Sequence, residues 1–326
     1  MKAPKKNTGI LYLLVLLILI FVILYSAIRI LELTAHPPTD DAFSGTTKTV
    51  VRDGVAYFPR QDINVILVMG IDQEGPAQSS GFYRNRGAAD LVMLLIFDEK
   101  DESCSILYLN RDTMLEMPVL GVGGKTAGSF YGQLALSHTY GEGLEDSCEN
   151  TKKAVSDFLN GIHIDYYISM RMDAISVLND AVGGVTVSVE DDFSQVDPTI
   201  GKGQVTLWGE QAINFVRTRK GVGDQLNLSR IHRQEAFIDG FAESFAVAVQ
   251  SDGNFALRAY EQVDPYLVTD CSVNTISALL SRYEGYEIRQ IVTPQGENVL
   301  GGEYYEFYAD REKLDALILQ LFYAPK

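Results

Sequence analysis

Three short runs constrain this chain most: Ile63–Met69 (INVILVM), Leu91–Phe97 (LVMLLIF) and Cys104–Leu109 (CSILYL). Each is nearly continuous in apolar residues, rich in branched side chains and bounded by turn formers. A strand with one wet face alternates apolar with polar residues, whereas a strand that does not alternate has to bury both faces. The runs therefore predict a sheet covered on both sides. Downstream, helical and extended patterns alternate. Asp146 with Glu149 three residues on forms a capping-box-like start to a stripe of Ala154, Val155, Phe158 and Leu159 that stops at Gly161. A strand is predicted at Tyr166–Met170, a helix over about Asp173–Ala181 ended by Gly183-Gly184, and an alternating strand at Val185–Val189. Helices follow at Leu207–Val216 and about Ser229–Val249, the second with Phe237, Phe241 and Phe245 at four-residue spacing as a core stripe. The remainder reads as helix (Val273–Tyr283), strand (Tyr286–Val292), strand (Tyr304–Tyr308) and helix (Arg311–Phe322). This order predicts an α/β fold, a three-layer α/β/α sandwich.

At the N-terminus, Lys2, Lys5 and Lys6 precede an apolar run from Ile10 to Tyr25 that continues weakly through Ala27, Ile28 and Ile30. A membrane-spanning helix needs roughly 20 such residues, and a signal-peptide core about 7–15. Tyr25-Ser26-Ala27 is a weak cleavage signal, so the expectation is an uncleaved transmembrane anchor at 10–31. Lysines before the span and only Arg29 shortly after it place residues 1–9 in the cytoplasm and the bulk outside the membrane. Residues 32–60 read as a juxtamembrane linker leading into a short strand, and 61–326 as the extracytoplasmic domain.

The chain has 326 residues and a formal net charge of -16, from 27 Lys and Arg against 43 Asp and Glu. That balance argues against nucleic acid as a partner. Cys104, Cys148 and Cys271 have neither CxxC spacing nor nearby histidines, which argues against a metal-thiolate site; in an oxidising compartment one pair can bridge and leave a thiol free. His36, His138, His163 and His232 are scattered, and no GxSxG elbow supports a serine hydrolase. Gly121–Lys125 (GVGGK) lacks phosphate-loop spacing and reads as a turn near the site entrance, and Trp208 reads as core.

Against this acidic background, Phe215–Gln234 holds Arg217, Arg219, Lys220, Arg230 and Arg233 with one acid, Asp224. If 217–219 is extended, Arg217 and Arg219 point to one side. If a helix starts at Ser229, Arg230 and Gln234 share a face. Arginine suits bidentate recognition of phosphate. Three other constellations fall at strand ends, where α/β sheets place their sites: Met69-Gly70-Ile71-Asp72, Arg84-Asn85-Arg86-Gly87-Ala88-Ala89-Asp90, and Asn110-Arg111-Asp112-Thr113. Taken singly, each also suits a turn, a helix cap or a surface ion pair.

In order, NVILVMGID (Asn64–Asp72), ADLVMLLIFD (Ala89–Asp98), LYLNRDTMLEMP (Leu107–Pro118), DAVGGVTVSV (Asp180–Val189), GEQAINFVRTRK (Gly209–Lys220) and GD followed by SRIHRQ (within Gly223–Gln234) resemble the LytR-CpsA-Psr family of membrane-anchored cell-wall glycopolymer ligases. The resemblance covers roughly residues 63–240. It implies transfer of a phosphoglycosyl polymer, such as teichoic acid or capsular polysaccharide, from a polyprenyl-pyrophosphate carrier to a peptidoglycan hydroxyl. It also implies a prenyl pocket between sheet and helices. By the same resemblance Asp72 and Asp90 match acids that hold Mg²⁺ or Mn²⁺, while Arg111, Arg217 and Arg219 match pyrophosphate-clamping arginines. Gln234 matches a polar partner, with Arg230 and Arg233 as second-rank members. Two departures stand out. Ala88 occupies a common arginine position, which leaves Arg86 or Arg84 to reach in from the loop, and Gln133 stands at a frequent lysine. Two rival readings stay open: a non-catalytic protein that binds polyprenyl phosphate or wall polymer, and a lipid pyrophosphatase.

Overall fold

The computed structural model describes residues 49–325 apart from 53, 122–124, 219–220, 223–226, 253–254, 284–285 and 303. The anchor expected at 10–31 lies outside the described residues; among those described, no helix is long and apolar enough to cross a membrane. The strands are β1 (Val50–Arg52), β2 (Val55–Pro59), β3 (Ile63–Asp72), β4 (Ala88–Asp98), β5 (Ser103–Leu109), β6 (Met114–Leu120), β7 (Thr126–Gln133), β8 (Tyr166–Arg171), β9 (Val185–Val189), β10 (Gly203–Leu207), β11 (Leu267–Thr269), β12 (Glu287–Val292), β13 (Gly296–Gly301), β14 (Tyr304–Ala309) and β15 (Tyr323–Pro325). The α-helices are α1 (Glu145–Phe158), α2 (Ala174–Ala181), α3 (Glu210–Arg217), α4 (Asn227–Ser251), α5 (Phe255–Val263), α6 (Val273–Tyr283) and α7 (Arg311–Phe322). The chain divides into two compact units. One takes residues 37–171, 267–275 and 283–326, and the other includes 172–266 and 276–282.

The first unit is built on a mixed sheet of order β11-β8-β3-β4-β5-β12. The three apolar runs form its centre, an antiparallel meander, with β8 added parallel to β3 and β12 parallel to β5. Both alternations of β3 are buried: Val65, Leu67 and Met69 on one face, Ile66 and Val68 on the other. The first set joins Val92, Leu94, Leu107 and Leu109 against Ala154 and Val155 of the first helix, Leu159 at its C-cap, and Leu314, Ile318 and Leu321 of the last helix. Each such side chain contributes roughly 1.5–3 kcal/mol on burial.

The C-terminal residues complete this sheet and cover it. Helix α7 keeps the predicted bounds, with Asp310 accepting from the Lys313 amide as its N-cap. Residues 50–59, where the linker leads into a short strand, form two strands, β1 and β2, that make a ribbon with β15. Helix α1 starts without the expected capping box. Asp146 accepts from the amides of Glu142 and Ser147, 2.7 and 2.8 Å away, and so ties the preceding loop to the first turn of the helix. Cys104, Cys148 and Cys271 are all free and buried, so no pair bridges. Burial pushes the Cys104 and Cys271 thiols up to about 12.

In the second unit, β9 and β10 pair antiparallel from Val185↔Leu207 to Val189↔Gly203. Gly183 and Gly184 end α2 at φ of 84° and 86°, the left-handed region that favours glycine. Leu207, predicted as helix, belongs to β10 because it pairs with Val185, and α3 begins only at Glu210. Trp208 is consequently 51 % exposed and not core. The Phe237, Phe241 and Phe245 stripe is fully buried, with successive ring centroids 6.3 and 6.0 Å apart. Helix α4 lies directly on β9: a Cβ added at Gly240 would fall 2.6 Å from the Thr186 carbonyl oxygen.

Candidate functional site

Antiparallel β3 and β4 stay in register until Gly70↔Leu91, then slip by one residue so that Ile71 faces Ala89 and Asp72 faces Ala88. Asp90 is the extra residue of this bulge. Bulges re-aim side chains at sheet ends. Here Ala89 and Val92 both enter the helix-covered core, and the Asp90 carboxylate between them forms an ion pair with the Arg111 guanidinium. Asp72 ends the neighbouring strand, so the structure brings Asp72, Asp90 and Arg111 to one corner of the sheet.

Arg111 follows the end of β5 in a tight turn. The Asn110 side chain accepts from the Asp112 amide at 2.9 Å, and its carbonyl accepts from the Thr113 amide and hydroxyl at 3.0 and 2.6 Å. The carbonyls of Arg111 and Thr113 in turn accept from the amides of Ala135 and Leu134. Asp112 lies 3.6 Å from the Arg111 Nε and accepts from the Gln133 amide at 3.1 Å. Gln133 also donates to the Tyr305 carbonyl at 2.7 Å. A lysine there would bring a cation beside Asp112; the glutamine supplies hydrogen bonds alone.

The 73–87 loop is anchored by buried polar residues to which the sequence assigned no role. Buried Asn85 donates to the carbonyls of His138 and Gly141 at 2.8 and 3.1 Å and accepts from the Gly87 amide at 2.7 Å. His138 Nδ1 lies 2.8 Å from the Gly87 carbonyl and Nε2 lies 3.8 Å from Cys148 Sγ. Burial pushes the His138 imidazole down to about 4 despite the Gly87 bond, so the neutral ring donates through Nδ1. Arg171, 4 % exposed, donates to the carbonyls of Glu74 and Gln78. No spacing signal marks these residues, because their partners are backbone carbonyls. On this loop Arg84 sits over the Tyr140 ring at 5.0 Å, and Arg86 is exposed with no ion pair among the described residues.

The remaining candidates belong to the second unit. Arg217 is the last residue of α3 and Thr218 turns extended, so Arg217 sits at a helix end and not in the extended segment considered above. Arg219 lies outside the described residues. Arg230 and Gln234 both fall on α4, four positions apart. Arg233 is 5 % exposed and turned inward: it bonds to the carbonyls of Phe215, at 2.9 Å, and Thr218, pairs with Asp191 at 2.5 Å, and lies over the Phe193 ring at 5.5 Å.

Two aspartates are hard oxygen donors of the kind that hold Mg²⁺ when substrate phosphates and water complete the shell. Among the described residues no group of three or more His, Cys, Asp or Glu is placed to hold a metal by itself. Asp72 and Asp90 are two such donors at one corner of the sheet.

The LytR_cpsA_psr family model matches residues 39–321. The chain is 28% identical over 256 residues to a polyisoprenyl-teichoic acid–peptidoglycan teichoic acid transferase TagU of Halalkalibacterium halodurans, covering 72% of this chain and 76% of that protein. It is 24% identical over 276 residues to the TagU of Bacillus subtilis, covering 84% and 82%. Among solved structures, B. subtilis TagV superposes with a TM-score of 0.56 at 23% identity, over 80% of this chain and 96% of that one. The gbs0355 protein of Streptococcus agalactiae gives 0.59 at 20% identity, over 80% and 86%. These structures share the α/β fold.

Proposed function

The chain belongs to the LytR_cpsA_psr family, and from that premise we propose that it is a phosphotransferase that moves a glycopolymer phosphate from a polyprenyl-pyrophosphate carrier to a peptidoglycan hydroxyl. The observation that carries this reading is the Asp90–Arg111 pair at the sheet corner that Asp72 shares. The names of the TagU relatives supply the reaction class. The same proposal keeps the three-layer α/β/α arrangement and the 10–31 anchor, with residues 1–9 cytoplasmic and the bulk outside the membrane. A prenyl carrier brings its pyrophosphate to the membrane surface, where an anchored protein meets it.

In this reading the acceptor oxygen forms a bond to the polymer's phosphorus and the bond to the carrier phosphate breaks. The carrier leaves as polyprenyl phosphate, and the hydroxyl proton passes to a carboxylate. Phosphoryl transfer needs positioning and charge neutralisation more than a covalent protein partner. Arg111, Arg217 and Arg219 bind pyrophosphate oxygens, with Arg230 and Gln234 in support and Arg86 standing in for the arginine that Ala88 replaces. Asp72 and Asp90 would hold Mg²⁺ or Mn²⁺, which when bound supplies further positive charge to the same oxygens.

Incubating the protein and labelled lipid-linked polymer with peptidoglycan oligomers, with and without Mg²⁺, tests the proposal. Metal-dependent attachment of label to peptidoglycan is expected. Free phosphorylated polymer would instead identify a pyrophosphatase. Tight binding without turnover would identify a regulatory binding protein, a reading that Ala88 and the uncharged Gln133 favour.

A further inference from the structure

The turn that carries Arg111 continues into two hairpins, β6–β7 and β13–β14. They join where Thr113 bridges Phe307 in parallel and the Asp112 carbonyl accepts the Phe307 amide at 2.8 Å. Directly opposed residues of an antiparallel ladder share a face. The inward sides hold Leu115, Met117 and Phe307, all buried. On the outward sides Tyr131 lies opposite Glu116, and Tyr308 lies opposite Glu297 with Glu306 and Tyr304 beyond it. Tyr131 is 57 % exposed and Tyr304 68 %. Thr113 and Phe307, paired across this bridge, are both buried, so the residues that alternate with them, Glu116 on β6 and Glu306 and Tyr308 on β14, face the other way and the two outward sides form one ledge.

The chemistry of this ledge narrows what it can hold. Exposed tyrosine rings interleaved with carboxylates offer an apolar face and hydrogen-bond acceptors side by side. The outward positions carry three carboxylates and neither lysine nor arginine, which disfavours an anionic polymer or an anionic bilayer. A pyranose instead offers a C–H face to an aromatic ring and hydroxyl donors to carboxylates, each of which accepts several hydrogen bonds. Glu116 accepts from Ser129 at 2.5 Å and Glu306 from Tyr308 at 2.6 Å, so both are oriented yet keep acceptor capacity. We infer that the ledge binds an uncharged oligosaccharide, the glycan stretch of the acceptor. That role rests on the transfer reading above; the binding itself does not.

Titrating the full-length protein in detergent with a β-1,4-linked N-acetylglucosamine tetrasaccharide tests the inference. Binding should weaken about tenfold in Tyr131→Ala and in Tyr308→Ala and persist in Tyr131→Phe, which keeps the ring face. In the unmodified protein, saccharide-induced chemical-shift changes should cluster on the two hairpins, a readout independent of variant folding. Saccharide binding that leaves those hairpins unmoved, or no binding, overturns the inference. If transfer to peptidoglycan fails while the tetrasaccharide still binds at the ledge, the transfer reading falls and the ledge stands. If polymer transfer persists and the tetrasaccharide does not bind, only the ledge falls.

Discussion

Asp191 Oδ2 accepts from Arg233 Nη1 at 2.5 Å, and the same guanidinium holds the carbonyls of Phe215 and Thr218. One buried cation therefore ties α4 to the end of α3, on either side of Arg217. Arg233→Ala leaves Asp191 without its partner and two carbonyls without a donor, and breaking a pair of this kind costs about 3 kcal/mol. A matching fall in denaturation midpoint is expected. Arg233→Lys should also lose stability, because an ammonium cannot span three acceptors as the planar fork does. Unchanged stability with lost transfer would instead make Arg233 a ligand-binding residue.

Arg111 pairs with Asp90 at the bulge and is 38% exposed there. Arg111→Ala should reduce transfer by roughly 10- to 100-fold, the range of one charge-assisted hydrogen bond to substrate. Arg111→Lys should recover part of it, since charge returns without the bidentate geometry. Full activity in the alanine variant would remove Arg111 from the site.

Arg217→Ala and Arg219→Ala are each expected to lose far more activity than Arg258→Ala, whose side chain is an exposed partner of Asp252. Transfer assays on the three variants at matched folded concentration make the comparison. Equal activities would refute the clamp.

His138 gives a pH dependence of defined sign. Its neutral ring is buried, and its folded value near 4 lies below the ordinary 6.5. As pH falls from about 6.5 to about 4, the unfolded imidazole takes up a proton that the folded one refuses, so stability drops with falling pH by roughly 3 kcal/mol at most. Below about 4 this group adds no further loss. The difference in pH slope between the native chain and His138→Gln isolates the effect from the carboxylates; parallel slopes would show that the ring titrates freely.

Gly240→Val should force α4 off β9, because even a Cβ meets the Thr186 carbonyl at 2.6 Å. A loss of about 2 kcal/mol or more is expected from such overpacking, read from the thermal midpoint. An unchanged midpoint would mean that the helix shifts at no cost.

Much of the fold was legible because its causes are local. The non-alternating runs at 63–69, 91–97 and 104–109 became the buried centre of the sheet, and the Phe237–Phe245 stripe became core. Gly183-Gly184 ended its helix and Arg311–Phe322 kept its bounds. Strands β10 and β13 were not visible. Gly203–Leu207 is a strand because Val185–Val189 lies beside it, and Gly296–Gly301 because Tyr304–Ala309 does. Pairing partners of that kind leave little mark on a short segment.

By itself, the sequence determined which residue types the chain brings to each strand end: Asp72, Asp90, Arg111 and the arginines around Arg217. Only the tertiary structure decided what each one does there. The bulge at Gly70/Ile71 turned Asp90 toward Arg111, and packing turned Arg233 inward onto carbonyls while leaving Trp208 exposed. The reason is physical. Side-chain period and backbone propensity act over a few residues and can be read along the chain. A guanidinium looks the same in sequence whether it meets water, a phosphate or a carbonyl, and its partner is chosen by long-range packing.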